Sequence, residues 1–333
     1  MADLELPDAL REDLRAAWQR YLDFVQPLRP ALHVYCRRLT RDLWDAEDLV
    51  QDTLLRAFGS LGRIHDPVRN PRSYLLRTAT NLWIDRHRRR EREAAALAGA
   101  KVEADVVAGR SGASPSGELR DAGMRLLRLP PRERAAVLLK DVFDLDLEES
   151  AEVLETTVGA VKSALHRARE RLRESEPERD EPAAPRGPVP SVSLVDRFVA
   201  LFNAADRPGL LALVLDNATV ENVGGGGLHW GYDGHRSKKS WFEGALGGHP
   251  DWPAWFQFES QRMERALFRG EPILLHFHTR RGRESLDGVH RLEEEDGRVS
   301  RLRSYGFCPE TVREVGEALG LPVLTGIYRA PTP

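Results

Sequence analysis

Apolar residues recur at three- and four-residue steps over residues 1–95 and again over 118–175, which predicts helices in both stretches. In the first, a helix over Ala46–Phe58 buries Leu49, Val50, Leu54 and Phe58 and leaves Glu47, Asp48, Asp52 and Arg56 to solvent. After the loop "GSLGRIHDPVRNP", a second helix sets Leu75, Ala79, Leu82 and the stem of Arg86 on one face, with Tyr74, Arg77, Asn81 and Arg88 roughly opposite. In the second stretch, Val158, Val161, Leu165, Ala168 and Leu172 fall on one face, which must pack on preceding helices carrying Val137, Leu138, Val142, Ala151 and Leu154. Lys162, Ser163, His166 and Arg167 project away from it, and Thr156 or Thr157 can cap the helix start.

From residue 192 the pattern changes. Helical segments "SLVDRFVALFNAAD" and "RPGLLALVLDN" give way to the alternating run "PILLHFHTRR" and to "HRLEEEDGRVSRLRS", where Asp296-Gly297 suits a type I′ turn between two strands. "PETVREVGEALG" predicts a closing helix, so residues 192–333 read as an α+β domain. Residues 96–117, rich in Ala, Gly and Ser, predict a flexible linker. Residues 176–191 lie in the run "ESEPERDEPAAPRGPVPS", whose five prolines and clustered charges favour an extended spacer. The expected fold class is multidomain, two all-α domains (1–95 and 118–175) followed by the α+β domain, without internal repeats.

Composition adds limits. A chain of 333 residues fits two or three domains, and a net charge of −3 leaves the question of nucleic acid to individual segments. No signal peptide and no apolar run of roughly 20 residues is visible, so no membrane partner is expected. Two distant cysteines, Cys36 and Cys308, argue against a disulfide framework and fit a reducing cytoplasm. Neither zinc-finger spacing nor a Walker A loop occurs, and no cofactor is expected.

Two helices joined by a short turn, with Arg and Lys donors on the second, fit a helix-turn-helix whose second helix enters a major groove. A merely solvated basic face gives the same pattern, and Glu155 stands at the turn where a glycine is more comfortable. The stripe of Tyr74, Arg77, Asn81 and Arg88 suits single-stranded DNA, since rings stack on bases and cations follow the backbone.

Three motifs in order, "DAEDLVQDTLLRAF", "NPRSYLLRTATNLWIDRHRRR" and "LPPRERAAVLLKDV" with "ESAEVLETTVGAVKSALHRARERL", resemble regions 2 and 4 of the extracytoplasmic-function (group IV) sigma factors of the sigma-70 family. The resemblance implies that Asp45, Glu47, Asp48, Asp52 and Arg56 dock on the clamp helices of the largest subunit of RNA polymerase core. It implies that Arg63, Asn70, Tyr74, Arg77, Asn81, Asp85 and Arg88 serve melting of the minus-ten element, with a base held outside the stack. The second helix of the helix-turn-helix is then expected to read the minus-thirty-five element of promoter DNA through Thr157, Lys162, Ser163, His166 and Arg167. These two domains are expected to catalyse nothing.

The last block is similar in layout to a SnoaL-like domain of the NTF2-like superfamily, a cone-shaped sheet wrapped on helices. In some group IV sigma factors such an extension regulates in cis, which implies an intramolecular contact with the sigma domains. Asn222, His229, Trp230, Tyr232, His276, His278, Asp287 and Tyr305 are candidates to line a pocket for an unknown small ligand. His276 and His278 share a strand face at a spacing that zinc can use, but a third ligand is not evident and no metal is expected. Two alternatives stay open: a DNA-binding protein fused to a cyclase- or isomerase-type enzyme, and a repressor or activator that works without polymerase. A 22-residue linker relaxes to about 25 Å and is taut at about 75 Å, so the two DNA-binding domains can come together in the free chain. On promoter DNA their sites lie about 50 Å apart.

Overall fold

The helical periodicity of the first half is realised as α1 (Asp8–Val25), α2 (Arg29–Thr40), α3 (Leu43–Leu61), α4 (Pro71–Ala98), α5 (Pro131–Val137), α6 (Leu147–Val153) and α7 (Val158–Glu174). The computed structural model describes residues 8–61, 68, 70–98, 126, 128–174, 189–224, 245–246 and 258–323. Two compact units emerge, one drawn from residues 21–106 and 114–180 and the other mainly from 181–333.

Helix α3 starts three residues earlier than its apolar pattern suggests, because Asp42 Oδ1 accepts from the backbone N–H of Trp44 (2.9 Å) and Asp45 (2.8 Å). Helix α6 opens on a reciprocal cap: Asp146 accepts from the Glu149 N–H at 2.7 Å and Glu149 from the Asp146 N–H at 2.9 Å. Leu32, Tyr35, Cys36 and Leu39 of α2 are buried with Leu43, Ala46, Leu49 and Val50 of α3 and Leu75, Leu76 and Ala79 of α4. Both cysteines are buried thiols outside any disulfide, and burial pushes the Cys36 thiol above its ordinary range, which makes it a poor nucleophile.

Between α5 and α6 the chain makes a wide turn over Leu138–Val142, closed by the Phe143 N–H on the Leu138 carbonyl at 2.9 Å. Phe143 then meets Tyr35 edge-on, with ring centroids 5.4 Å apart and planes at 87°. The Tyr35 hydroxyl lies 2.7 Å from Thr80 Oγ1 of α4. Arg134 of α5 is buried, donating to the carbonyls of Leu39 (2.9 Å) and Leu126 (2.8 Å), with its guanidinium 5.1 Å from the Trp83 ring centroid. Burial, then the nearby Arg41, lowers its pKa to about 10, so it stays charged at neutral pH. The helices of both stretches therefore pack within one unit.

The second unit begins with α8 (Val192–Asn203) and α9 (Arg207–Leu213). The helix expected over "RPGLLALVLDN" stops at Leu213. Val214–Asn222 is strand β1, with Val214, Ala218 and Val220 buried, because parallel pairing with β5 overrides the local helical pattern. Strands β2 (Ser260–Phe268), β3 (Glu271–Arg280), β4 (Arg283–Glu295) and β5 (Arg298–Ser304) complete a sheet of order β1-β5-β4-β3-β2, antiparallel except for β1–β5. The hairpin turn falls at Asp296 (φ 52°) and Gly297 (φ 72°), as a type I′ turn requires. Phe198, Phe202, Leu210 and Leu213 of the helices bury one sheet face with Met263, Leu274, Leu292 and Leu302. Helix α10 (Pro309–Leu319) packs against β4, with Val312 and Val315 buried. Among the described residues no helix is long and apolar enough to cross a membrane.

Gly224, in the turn two residues beyond β1, has φ 84°, and a Cβ there would lie 2.5 Å from the Phe307 carbonyl oxygen, a backbone atom that cannot step aside. Gly224→Ala is expected to destabilise the C-terminal unit by about 1–3 kcal/mol. Thermal unfolding checks this; an unchanged melting curve would show that the strand end adapts freely.

Candidate nucleic-acid interface and a polar cluster in the sheet

Helix α7 sorts its polar residues into two groups. On one flank, Glu133 of α5, 5 % exposed, accepts from Arg167 Nε and from Arg171 Nη1, both at 3.0 Å. Arg167 is thus half-exposed yet braced, and it must release Glu133 to reach a base. On the other flank Lys140, Lys162, His166, Arg169 and Arg173 line a groove of about 430 Å³ together with Leu147, Leu165 and Glu170. Lys162, His166, Arg169 and Arg173 are all exposed and recur at steps of three and four, a basic stripe about three helix turns long. Arg169 is held by Asp141 at 2.8 Å and His166 by Glu170 at 3.3 Å. Lys140, Arg169 and Arg173 were not singled out from the sequence; the i, i+4, i+7, i+11 spacing from Lys162 was the available signal. Thr157 caps the helix, its Oγ1 accepting from the Ala160 N–H at 3.2 Å, and Ser163 donates to the Gly159 carbonyl at 3.0 Å.

The turn before α7 contains Glu155 in the left-handed region (φ 48°), where a glycine is unstrained and a Glu is not. Its carboxylate accepts from Asn81 Nδ2 at 3.2 Å and lies 4.0 Å from Arg77 Nε. Tyr74 lies beneath the Arg77 guanidinium, 5.6 Å from ring centroid to carbon. The α4 stripe and the turn of the helix-turn-helix are therefore in direct contact. Asp85 and Arg88 are exposed further along α4, 4.0 Å apart, and Asn70 caps the helix start through Ser73 N–H at 3.1 Å. Arg63 lies outside the described residues.

On α3, Asp52 and Arg56 are exposed, Asp45 and Asp48 partly so. Asp52 pairs with Arg86 of α4, and Asp45 lies 3.6 Å from Arg90. Leu55 is exposed between Asp52 and Arg56. Glu47 departs from expectation: it is fully buried, accepting from Arg29 Nη2 (2.5 Å) and Gln51 Nε2 (2.7 Å), with His33 Nε2 at 3.7 Å. Its position four residues after Leu43 and three before Val50 places it on the apolar face, so it cannot offer its carboxylate to a partner without breaking the core.

In the sheet unit, His276 and His278 of β3 project on the face that also carries Leu274, and the T-shaped contact of His276 with Phe202 of α8 spans 5.2 Å. A bulge in β4, where His276 pairs with Gly288 and Phe277 with Leu286, leaves Asp287 as the extra residue and re-aims it toward His278. Asp287 Oδ2 takes a short hydrogen bond from His278 Nδ1, and its Oδ1 accepts from Arg280 Nη1 at 3.0 Å. Burial works to raise the Asp287 pKa, but the His278 hydrogen bond and charge, with Arg280, more than offset it and hold the carboxyl below its usual range. His290 of β4 lies 3.3 Å from His276 Nδ1 through its Nε2, and His276 Nε2 lies 2.9 Å from Gln261 Oε1. Burial first, then the His278 charge, keeps His276 far below the usual imidazole range and lowers His290 to about 3, so both stay neutral. Asn222 sits in the row Asn222–Ser304–His290 across β1, β5 and β4. Tyr305 is buried beside Arg291, whose partner Glu271 lies at 2.7 Å on the opposite sheet face, away from the histidines. His229, Trp230 and Tyr232 lie outside the described residues.

Residues 24–93 match the family Sigma-70 region 2, and residues 119–172 match Sigma-70, region 4. The chain is 32% identical to ECF RNA polymerase sigma factor SigW of Bacillus subtilis (strain 168), over 46% of this chain and 87% of SigW. It is also 32% identical to ECF RNA polymerase sigma factor SigG of Mycobacterium tuberculosis (strain ATCC 25618 / H37Rv), over 59% of this chain and 60% of SigG. Among solved structures, the sigma factor RpoE from Bartonella quintana, in complex with the anti-sigma factor NepR, is 28% identical with a TM-score of 0.40, covering 47% of this chain and 96% of that one.

Glu47→Ala removes the carboxylate that the buried Arg29 guanidinium bonds and is expected to cost about 3–5 kcal/mol, whereas Arg56→Ala should stay within about 0.5 kcal/mol. Urea unfolding monitored by circular dichroism separates the two; equal midpoints would contradict the buried assignment of Glu47.

Proposed function

This chain belongs to the extracytoplasmic-function RNA polymerase sigma factors of the sigma-70 family, and we propose that it directs core polymerase to promoters and opens them at the minus-ten element. The observation that carries the reading is that one packed helical unit presents both a polar and aromatic stripe on α4 and a basic stripe on α7. Tyr74, Arg77, Asn81 and Arg88 then engage the separated strand, while Lys162, His166 and Arg167 face the minus-thirty-five element, helped by Lys140, Arg169 and Arg173 at phosphates. Asp48, Asp52, Leu55 and Arg56 form the surface of α3 offered to the clamp helices, with Glu47 as its internal brace.

The Glu155 contacts fit a resting state. While Asn81 and Arg77 bond to Glu155, the melting stripe is covered by the helix-turn-helix, and the two must part for promoter sites about 50 Å apart to be reached together. The C-terminal unit, two helices ahead of a five-stranded mixed sheet, is read as a SnoaL-like, NTF2-like regulator of this equilibrium.

Reconstituted transcription with core polymerase tests the whole reading. The full chain should support initiation at a promoter selected from genomic DNA, and Lys162→Ala should weaken recognition of the minus-thirty-five element by about 1–3 kcal/mol with core binding intact. Normal initiation by Lys162→Ala would remove α7 from the groove. Because the Glu155 pair is largely exposed, Glu155→Ala should raise initiation at limiting core by no more than about fivefold. A fall instead would make Glu155 part of the active form. A chain ending at Pro190 should differ several-fold from the full chain; identical activity would end the regulatory reading.

A further inference from the structure

Arg167 and Arg171 stand one turn apart on the same flank of α7, and both reach a single carboxylate. That carboxylate is Glu133, buried in the first turn of α5, and its two oxygens are divided between them. Oε1 accepts from Arg167 Nε and Oε2 from Arg171 Nη1, each at 3.0 Å. Among the described residues these two guanidinia are the charged partners of Glu133. The other pairs along α7 are built differently. Arg169 bonds Asp141 and His166 lies beside Glu170, and both of those carboxylates are exposed, so water takes over when the cation leaves. Glu133 is closed to water. A buried carboxylate stripped of every partner costs more than one base contact returns, so Arg167 is free to leave only while another cation keeps Glu133 paired.

We propose that Arg171 is a positioning residue for promoter recognition: it stays on Glu133 Oε2 and keeps the buried charge paired while Arg167 swings out to a base edge. Arg171 itself reads no base. The separate oxygens make the exchange possible, since the Arg167 bond breaks without disturbing the Arg171 bond. Its place on the helix agrees, because Arg171 lies a turn nearer the C-terminal end of α7, and base contacts in helix-turn-helix complexes come from the N-terminal part of the recognition helix. This role rests on the reading of α7 as the helix that faces the minus-thirty-five element, and it names the residue on which Arg167 depends there.

The test is a double-mutant cycle read as base preference. Holoenzyme made from the full chain and core polymerase is bound to duplexes of the promoter selected from genomic DNA, each with one substituted base pair in the minus-thirty-five element. Arg167→Ala identifies the base pair that Arg167 reads, as the one whose preference, about fivefold or more in the unmutated protein, disappears. Arg171→Ala is expected to abolish that same preference, to within about twofold of Arg167→Ala, and to keep the preferences at the other base pairs. Adding Glu133→Gln removes the charge that would be stranded, and is expected to restore the preference in the Arg171→Ala chain. An even loss on every duplex is what a phosphate contact gives, and that result from Arg171→Ala overturns the proposal, as does full retention of the preference. A folded Glu133→Gln/Arg171→Ala chain that does not recover it overturns the proposal as well. Should thermal unfolding show that the double variant does not fold, the comparison of Arg171→Ala with Arg167→Ala decides alone. If Arg167→Ala leaves every preference intact, the groove reading of Arg167 falls and this role falls with it, an outcome distinct from failure of Arg171→Ala alone.

Discussion

A single buried guanidinium holds the helical unit together. Arg134 sits over the indole of Trp83 and donates to the carbonyl of Leu39 at the end of α2, so α5 is tied at once to α2 and α4. Its third bond, to the Leu126 carbonyl, anchors the chain that enters the helix-turn-helix. A charge this deep is tolerable only because its donors find acceptors and its face finds an aromatic ring. The rest of the unit follows from that tie: Phe143 reaches Tyr35, and the turn at Glu155 arrives beside Arg77 and Asn81. The contact between the α4 stripe and the turn before α7 is thus the outer edge of a packed joint.

Much of this was legible in the sequence. Leu49, Val50, Leu75, Ala79, Val161 and Leu165 are buried where their spacing put them, and Asp296-Gly297 turns the hairpin as its residue types require. The misreadings have physical causes. Glu47 occupies a core position that apolar counting skips, because a buried carboxylate is recognisable only when its partners Arg29 and Gln51, from 18 residues before and 4 after, are known to converge. The first residues of Val214–Asn222 carry a helical pattern, and they form a strand because of pairing with β5, some 80 residues away, which is a tertiary fact. Val142, expected in the core, is exposed because the wide turn carries it outward.

The candidate sites divide in the same way. Exposure of Lys162, Ser163 and His166 followed from the helical wheel, whereas the brace between Glu133 and Arg167 did not, since it joins helices 34 residues apart. In the sheet, alternation alone set His276 and His278 on one face. What brought Asp287 to them was a bulge, one residue out of step, which periodicity treats as noise. Tyr305 shared the composition of a pocket residue but falls on the other side of the sheet.

The wide turn at Leu138–Val142 carries a further consequence. It holds one more residue than an α-helical turn, and its closing bond runs from residue 143 back to 138. Each residue of a regular helix advances the side chain by about 100°, so the loss of any one residue here would let the helix run on evenly and swing Phe143 away from Tyr35 and Arg72. The joint between the two halves is therefore written partly as a length. Substitutions in this turn can be mild while a single deletion is severe, and two chains of similar composition but different spacing here would hold α4 and α7 in different orientations.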